Sequence, residues 1–179
     1  KELAQDLLGV NEHLEKFEFS VQDHFEILKQ LVAGVQLAGA VSPQVHARVL
    51  AIGELTATTL GAAYLKLEVG VTLRDARDLL RSSPGNDQTE RAEFLSAICP
   101  YYAEPALENE LETDLHLANG GVILTQGFIA RNQSGDTVLL GRGGSDTSAA
   151  YLAAKLQARR LEIWTDVPGF FSADPRAIS

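Results

Sequence analysis

A glycine-rich turn at residues 141–146 carries the side chains best suited to chemistry in this sequence. It reads Gly-Arg-Gly-Gly-Ser-Asp, and it lies between the apolar residues 138–140 and a segment with helical composition. Its glycines open backbone angles closed to other residues and let a ligand come close. Ser145 or Asp146 is placed to cap the next helix, whose first amides would attract an anion. Arg142 adds a planar cation suited to a carboxylate or phosphate.

Two interpretations of this turn remain open on its residues alone. A strand, a glycine turn and a capped helix also occur together as plain architecture. The turn lacks the Gly-Lys-Ser/Thr ending of a Walker loop, and Asp146 stands where a dinucleotide fingerprint would have its third glycine. The motif therefore predicts either a small-anion site or a structural turn.

Glu54 is a second candidate for chemistry. On a predicted helix it shares a face with Leu50, Ala51 and Thr58, which are small or apolar for the most part. A carboxylate in that setting is either a solvated flank or a buried functional acid. Spacing alone favours the flank, because unpaired buried glutamates are rare.

Composition limits the classes of function. A chain of 179 residues with 45% hydrophobic content can form one domain with a proper core. Its net charge of −9 disfavours nonspecific binding to nucleic acid or anionic membranes. The four histidines show no metal-ligand spacing with each other or with Cys99. We expect Cys99 to be a buried thiol, which fits a reducing, cytoplasmic setting.

The elements that must position these residues fall into two parts. Residues 1–60 are predicted to be helical, with one helix capped by Ser20 and ended by Gly39, and another beginning at Ser42-Pro43. The chain has no methionine and opens in what looks like mid-helix, so we expect a fragment.

Residues 61–179 are predicted to alternate between strands and helices, which favours a mostly parallel sheet covered on both faces. Ligands of such sheets bind beyond the carboxyl ends of the strands. We expect strands at residues 70–73, 94–98, 122–125 (continued by 128–130), 137–140 and 161–164, and helices at residues 75–80, 105–117 and 148–159. The hairpin turn is expected at residues 132–136. Residues 126–128, 141–146, 165–166 and 169–176 would then share one rim.

Several motifs in this order resemble those of aspartate kinases in the amino acid kinase family. Gly-Glu-Leu at residues 53–55 and Leu-Arg-Asp-Ala-Arg at residues 73–77 look like two segments of that family. The most specific matches are Gln-Gly-Phe-Ile at 126–129, the turn at 141–146, Ile-Trp-Thr-Asp-Val-Pro-Gly at 163–169 and Ala-Asp-Pro-Arg at 173–176. The resemblance runs from about Gly53 to the end and favours the anion-site interpretation.

The resemblance implies a three-layer α/β/α sandwich of the carbamate kinase-like type, with a mostly parallel sheet and present here as a fragment. Residues 1–179 would form a single partial kinase domain. The implied reaction uses ATP and Mg²⁺ to phosphorylate the side-chain carboxylate of L-aspartate, giving 4-phospho-L-aspartate on the way to lysine, threonine and methionine. The complete enzyme is expected to be a cytoplasmic homo-oligomer that binds neither nucleic acid nor membranes.

The resemblance also implies a role for each matching residue. Glu54 would meet the substrate amine, Arg142 a substrate carboxylate, and Phe128 would wall the pocket. Ser145 and Asp146 would line the same site, with Asp146 organising the catalytic groups. The nucleotide would be held by Thr165, Asp166, Phe171 and Arg176.

Departures from the family pattern keep other functions open. The Lys-Phe-Gly-Gly-Thr-Ser start, whose lysine faces the phosphates, is absent, and Phe171 stands where many relatives have tyrosine. A noncatalytic binding or regulatory module is therefore one alternative. A related kinase acting on glutamate, acetylglutamate or uridylate is another, although the turn at 141–146 joined to Trp-Thr-Asp-Val-Pro-Gly argues against it. The run Thr-Asp-Val-Pro-Gly-Phe-Phe-Ser also looks like aspartate kinases fused to diaminopimelate decarboxylase.

Overall fold

Three helices form the first part of the computed structural model, which describes residues 1–83, 89–100, 111 and 121–164. They are α1 (Glu2–Leu8), α2 (Glu12–Ala38) and α3 (Pro43–Leu65). The prediction of a helical N-terminal part is confirmed. The predicted helix at residues 105–117 lies outside the described residues.

Local capping signals were right at two of three helix ends. Gly39 ends α2 in the left-handed region, at φ 67°, and the Ser42 side chain accepts a hydrogen bond from Val45 N ahead of Pro43. The prediction that Ser20 begins a helix is wrong. Asn11 caps α2 instead, because its side chain accepts from the backbone of His13 and the helix then runs through Ser20.

The remaining elements are short strands and helices. The structure places β1 at Val71–Arg74, α4 at Ala76–Leu79, α5 at Glu90–Leu95, β2 at Val122–Thr125, β3 at Ile129–Arg131, β4 at Thr137–Leu139 and α6 at Gly144–Lys155. Strands β1 and β2 pair in parallel, and β3 and β4 form the predicted antiparallel hairpin. Residue Arg81 bridges Arg131 in parallel, which adds a further chain segment to β3.

Three strand predictions are wrong. The segment predicted as a strand at residues 94–98 starts inside α5, which ends at Leu95. Thr89 caps that helix, and Phe94 is buried on it. Residues 128–130 do not continue β2; the chain turns at Phe128, at φ 71°, and starts β3. Residues 161–164 form no strand, and Trp164 is exposed.

The main core lies between α3 and the hairpin. Ala47, Ala51 and Leu55 of α3 belong to one buried cluster with residues of β3 and β4, among them Ile129 and Val138. Burial of such apolar surface is the principal force that holds α3 against the strands. A second cluster joins α1 to the first half of α2.

Cys99 lies in the main core, which confirms the prediction of a buried thiol. Burial raises the pKa of this thiol to about 11, although the Lys155 ammonium opposes the shift. The side chain therefore stays protonated at neutral pH, where the thiol is a poor nucleophile.

None of the helices in the described part of the chain is long and apolar enough to cross a bilayer.

An ion pair between Asp75 and Arg77 ties α4 to the hairpin. The Asp75 carboxylate accepts hydrogen bonds from the backbone and side chain of Arg77, each with a nitrogen at 2.9 Å. Arg77 also donates through Nη1 to Thr137 Oγ1 of β4 at 3.1 Å. Burial by itself would raise the pKa of Asp75, but the hydrogen bonds and charge of Arg77 outweigh it, and the pKa is lowered.

We expect Asp75→Asn to lose stability in a pH-dependent way. Asparagine can still cap α4, but it removes the charge and the second carboxylate oxygen, which accepts from Arg77 Nε and Nη2. Because the folded pKa is lowered, the charge stabilises the fold above the unfolded carboxyl value of about 3.9, and this contribution disappears as the pH falls further. Urea unfolding of both proteins from pH 7 to pH 2.5 should show the gap in unfolding free energy closing at the acid end. A constant gap would contradict the assignment.

Candidate functional site

The predicted substrate residues meet around one open cavity of about 390 Å³. Its walls come from three places in the chain: the middle of α3, the turn before β3, and the turn that begins α6. The lining residues are Glu54, Phe128, Gly141, Gly143, Gly144, Ser145 and Asp146. Four of the five predicted substrate or catalytic residues in the described part of the chain are therefore neighbours.

The turn at residues 141–146 begins α6 at a different residue from those predicted. Gly143 occupies the N-cap position at φ 67°, and no side chain in the described part of the structure caps the helix. The prediction that Ser145 or Asp146 is the cap is therefore wrong: the left-handed glycine starts the helix earlier and places both residues in its first turn. Both are exposed and line the cavity, so their side chains face the space that a ligand would fill.

The backbone before β3 lies against this first turn at very short range. A Cβ atom on Gly127 would stand 2.8 Å from Ser145 Cβ and 2.9 Å from Ser145 Cα. A Cβ atom on Gly144 would stand 2.6 Å from the Phe128 ring and 3.2 Å from its Cα. Glycine is required at both positions because any side chain would push the two segments apart.

Phe128 is held in this contact by a buried serine. Its backbone N–H donates to Ser148 Oγ at 2.8 Å, and the Ser148 hydroxyl donates to the Gly144 carbonyl at 2.7 Å. The φ of 71° at Phe128 is unusual for a residue with a bulky side chain. Such strained residues persist where the surroundings determine them, and they concentrate at functional sites.

Glu54 is half-buried on α3 and contributes its side of the cavity. The structure therefore does not place it as a fully solvated flank, the interpretation that spacing alone favours. Together, the carboxylates of Glu54 and Asp146 and the backbone amides of Ser145 and Asp146 at the start of α6 offer sites for a positive and a negative group. This arrangement suits a small ligand that carries both charges.

The other predicted site residues are not part of this lining. Arg142 lies on the same turn between two left-handed glycines, and its side chain is exposed. The four predicted nucleotide residues, Thr165, Asp166, Phe171 and Arg176, lie outside the described residues.

Gln126 is a feature of the site to which the sequence pattern assigns no role. It is 3% exposed, and its Oε1 accepts from Ala76 N at 2.8 Å while its Nε2 donates to Thr58 Oγ1 at 2.9 Å. The signal in the sequence that could have pointed to this role is a glutamine directly after a strand that contains β-branched residues. Its partners lie far away in sequence and could not be inferred from that signal.

The part of the chain that the structure describes contains no group of three or more histidine, cysteine, aspartate or glutamate side chains that could hold a metal ion.

Comparison with known proteins gives one family and a consistent set of relatives. The model of the amino acid kinase family matches residues 9–179. Lysine-sensitive aspartokinase 3 of Escherichia coli is 40% identical over 141 residues, which is 78% of this chain and 29% of that protein. The chloroplastic bifunctional aspartokinase/homoserine dehydrogenase 1 of Arabidopsis thaliana is 33% identical over 177 residues, 98% of this chain and 18% of that protein.

Solved structures support the same fold. The crystal structure of E. coli aspartokinase III in complex with aspartate and ADP matches with a TM-score of 0.75 and 32% identity, covering 98% of this chain and 37% of that one. The predicted α/β fold class and the resemblance to aspartate kinases are confirmed. The chain spans less than two fifths of the length of these relatives.

The short contact between Gly127 and Ser145 predicts a large difference between two glycine substitutions. Gly127→Ala should destabilise the fold by about 1–3 kcal/mol, because the new methyl group overlaps backbone atoms. Gly34→Ala is the matched control: Gly34 is exposed within α2 with nothing near its Cβ direction, so alanine should add about 0.5–1 kcal/mol of stability. Urea unfolding measures both. Equal effects of the two substitutions would contradict the close approach.

Proposed function

Since this chain belongs to the amino acid kinase family, we propose that it serves the aspartate kinase reaction. The γ-phosphoryl group of ATP is transferred to the side-chain carboxylate of L-aspartate, which gives 4-phospho-L-aspartate and ADP. The observation that carries the proposal is the cavity that gathers Glu54, Phe128, Ser145 and Asp146. These residues come from separate motifs of the chain, and a relative with 32% identity was crystallised with aspartate and ADP.

The charges around the cavity fit the two ends of an amino acid. The substrate ammonium group is assigned to the Glu54 carboxylate on α3. A substrate carboxylate is assigned to the Arg142 guanidinium, whose planar fork can bind both oxygens. Phe128 forms part of the cavity wall, and Ser145 lines the same cavity from the first turn of α6.

The chemical step needs no general base. The side-chain carboxyl group of aspartate has an ordinary pKa near 3.9, so it is already ionised at neutral pH. One of its oxygens forms a bond to the γ-phosphorus while the bond from that phosphorus to the bridging oxygen of ADP breaks, and ADP leaves with the electron pair. Catalysis then consists of positioning and of cancelling negative charge on the transferring group.

The first turn of α6 is the described element best placed for that charge cancellation. Gly144 N donates to the Gly141 carbonyl, but the amides of Ser145 and Asp146 have no side-chain cap from the N-cap residue, which is glycine, and are assigned to an anionic oxygen. Asp146, in the same turn, is assigned the role of organising the cationic groups that face the phosphates.

Mg²⁺ is proposed to arrive with the ATP phosphates, because this ion keeps several of its waters and is bound largely through substrate phosphates at such sites. When bound, it neutralises phosphate charge. Thr165, Asp166, Phe171 and Arg176 are proposed to hold the nucleotide. The complete enzyme is proposed to be a cytoplasmic homo-oligomer. Its product is the activated aspartate used to make lysine, threonine and methionine.

We expect Asp146→Asn in the full-length enzyme to lower kcat by about 100-fold or more, which corresponds to about 2.7 kcal/mol of transition-state stabilisation. Asp146 does not cap α6, so the substitution removes a charge without removing a structural hydrogen bond to the helix start. The measurement is kcat at saturating aspartate and MgATP, with thermal unfolding alongside. Asp6→Asn, an exposed substitution on α1, is the charge-matched control and should keep full activity. A stable, fully active Asp146→Asn enzyme would return the turn to a purely architectural role.

Arg142→Ala is expected to raise the KM for aspartate far more than the KM for ATP. Loss of a hydrogen bond to a charged group costs about 1.5–3 kcal/mol, or roughly a 10- to 150-fold change in KM. Arg159→Ala, which removes an exposed arginine just beyond α6, should leave both constants unchanged. If the KM for ATP rose while that for aspartate held steady, Arg142 would belong to the nucleotide side of the site.

A further inference from the structure

Gln126 links three elements beside the cavity, two residues before Phe128 of its lining. It is the first residue after β2, and its side chain is buried. Its carbonyl oxygen accepts from Ala76 N, at the start of α4, at 2.8 Å. Its amide nitrogen donates to Thr58 Oγ1, on α3, at 2.9 Å. One side chain therefore joins the end of a strand to two helices.

The chain of hydrogen bonds continues to the residue assigned to the substrate amine. Thr58 lies one turn after Glu54 on α3, and its hydroxyl donates to the Glu54 carbonyl at 2.7 Å. The Gln126 amide thus holds the turn of α3 that carries Glu54.

The same short segment holds the opposite wall. Gln126 is followed directly by Gly127 and Phe128, the residues whose backbone lies against Ser145 and Gly144. A continuous set of contacts therefore connects Glu54 to the turn at residues 141–146. It runs from α3 through Thr58 and Gln126 to the contact that residues 127–128 make with the start of α6.

We propose that Gln126, acting through Thr58, is a positioning residue that sets the Glu54 carboxylate at the distance required by the substrate ammonium group. This inference rests on the proposed aspartate kinase function. It adds the residue that positions the group recognising the substrate amine. The relay touches no reacting atom. Its loss should weaken binding of aspartate and leave ATP binding unaffected.

Only an amide satisfies both partners of Gln126. A carboxylate at this position would accept from Ala76 N but could not donate to Thr58. The Thr58 hydroxyl would then have to turn and donate to the carboxylate, which would release the Glu54 carbonyl. An apolar side chain would leave a buried N–H of α4 without its acceptor, which carries a full desolvation penalty.

Thr58 offers the cleanest test, because valine removes the hydroxyl and keeps the shape. In the full-length enzyme, Thr58→Val should raise the KM for aspartate about fivefold, because the Gln126 amide loses its acceptor and the Glu54 carbonyl loses the Thr58 donor. The KM for ATP should stay within about twofold, and Thr58→Ser should restore the wild-type values. Thr59→Val is the matched control: the Thr59 hydroxyl donates to the Leu55 carbonyl on the same helix at 2.7 Å, so it repeats the local change without the bond to Gln126.

Succinate separates positioning of Glu54 from a general loss of structure. It has both carboxylates of aspartate but no amine. The inhibition constant of succinate should therefore be unchanged by Thr58→Val while the KM for aspartate rises. A parallel loss for succinate would overturn the proposal, and so would equal kinetic effects of Thr58→Val and Thr59→Val.

A second variant keeps the test decisive if Thr58→Val does not fold. Gln126→Glu retains the acceptor for Ala76 N and removes the donor to Thr58, and it should give the same split between aspartate and succinate. Failure of the proposed function has a different signature, since the wild-type enzyme would then phosphorylate no aspartate. In that case the dissociation constant of aspartate, measured by calorimetry on the same variants, decides the relay, and absence of aspartate binding overturns both proposals.

Discussion

The contact between the backbone of residues 127–128 and the first turn of α6 is the constraint on which the site depends. A side chain at position 127 would overlap Ser145, and one at position 144 would overlap the Phe128 ring, so the chain has glycine at both. Phe128 itself takes a left-handed conformation, at φ 71°. Ser148 secures the contact by accepting from Phe128 N and donating to the Gly144 carbonyl. Because α6 is seated in this way, the residues of its first turn, Gly144, Ser145 and Asp146, line the cavity.

Helix α3 supplies the other half of the site from a rigid support. Near its beginning Gln44 donates to Asp136 in the hairpin turn at 2.9 Å, and its middle packs on the hairpin through Ala47 and Leu55. Near its end Gly61 leaves space for Leu124 of β2. Residues carried on such a packed helix keep their geometry better than residues on loops. Glu54 therefore faces a turn whose position is also determined by packing.

Signals from neighbouring residues predicted much of the fold, but they predicted few of the hydrogen bonds that hold the site residues in place. Ser42 with Pro43, and Gly39, act within a few residues, so their roles could be predicted from the sequence and are confirmed. The choice of Asn11 over Ser20 was missed because both can cap, and the longer helix is stabilised by packing on α1 and α3. The structure has Glu54 and the turn at 141–146, which the motifs single out, lining one cavity. The role of Gln126 depends instead on Thr58, a partner 68 residues away.

Those long separations have a consequence for the order in which the molecule can form. Helix α3 is 23 residues long and is stabilised by contacts along its own length, so it can develop soon after residue 65 is synthesised. The bonds from Gln44 to Asp136 and from Thr58 to Gln126 close loops of 92 and 68 residues, and such distant pairings are slow to form. Nothing before residue 148 can secure Phe128. On the ribosome, the helix that carries Glu54 would therefore form before the opposite wall of the cavity has been synthesised. A nascent chain has no ligand site until α6, its last described helix, has emerged.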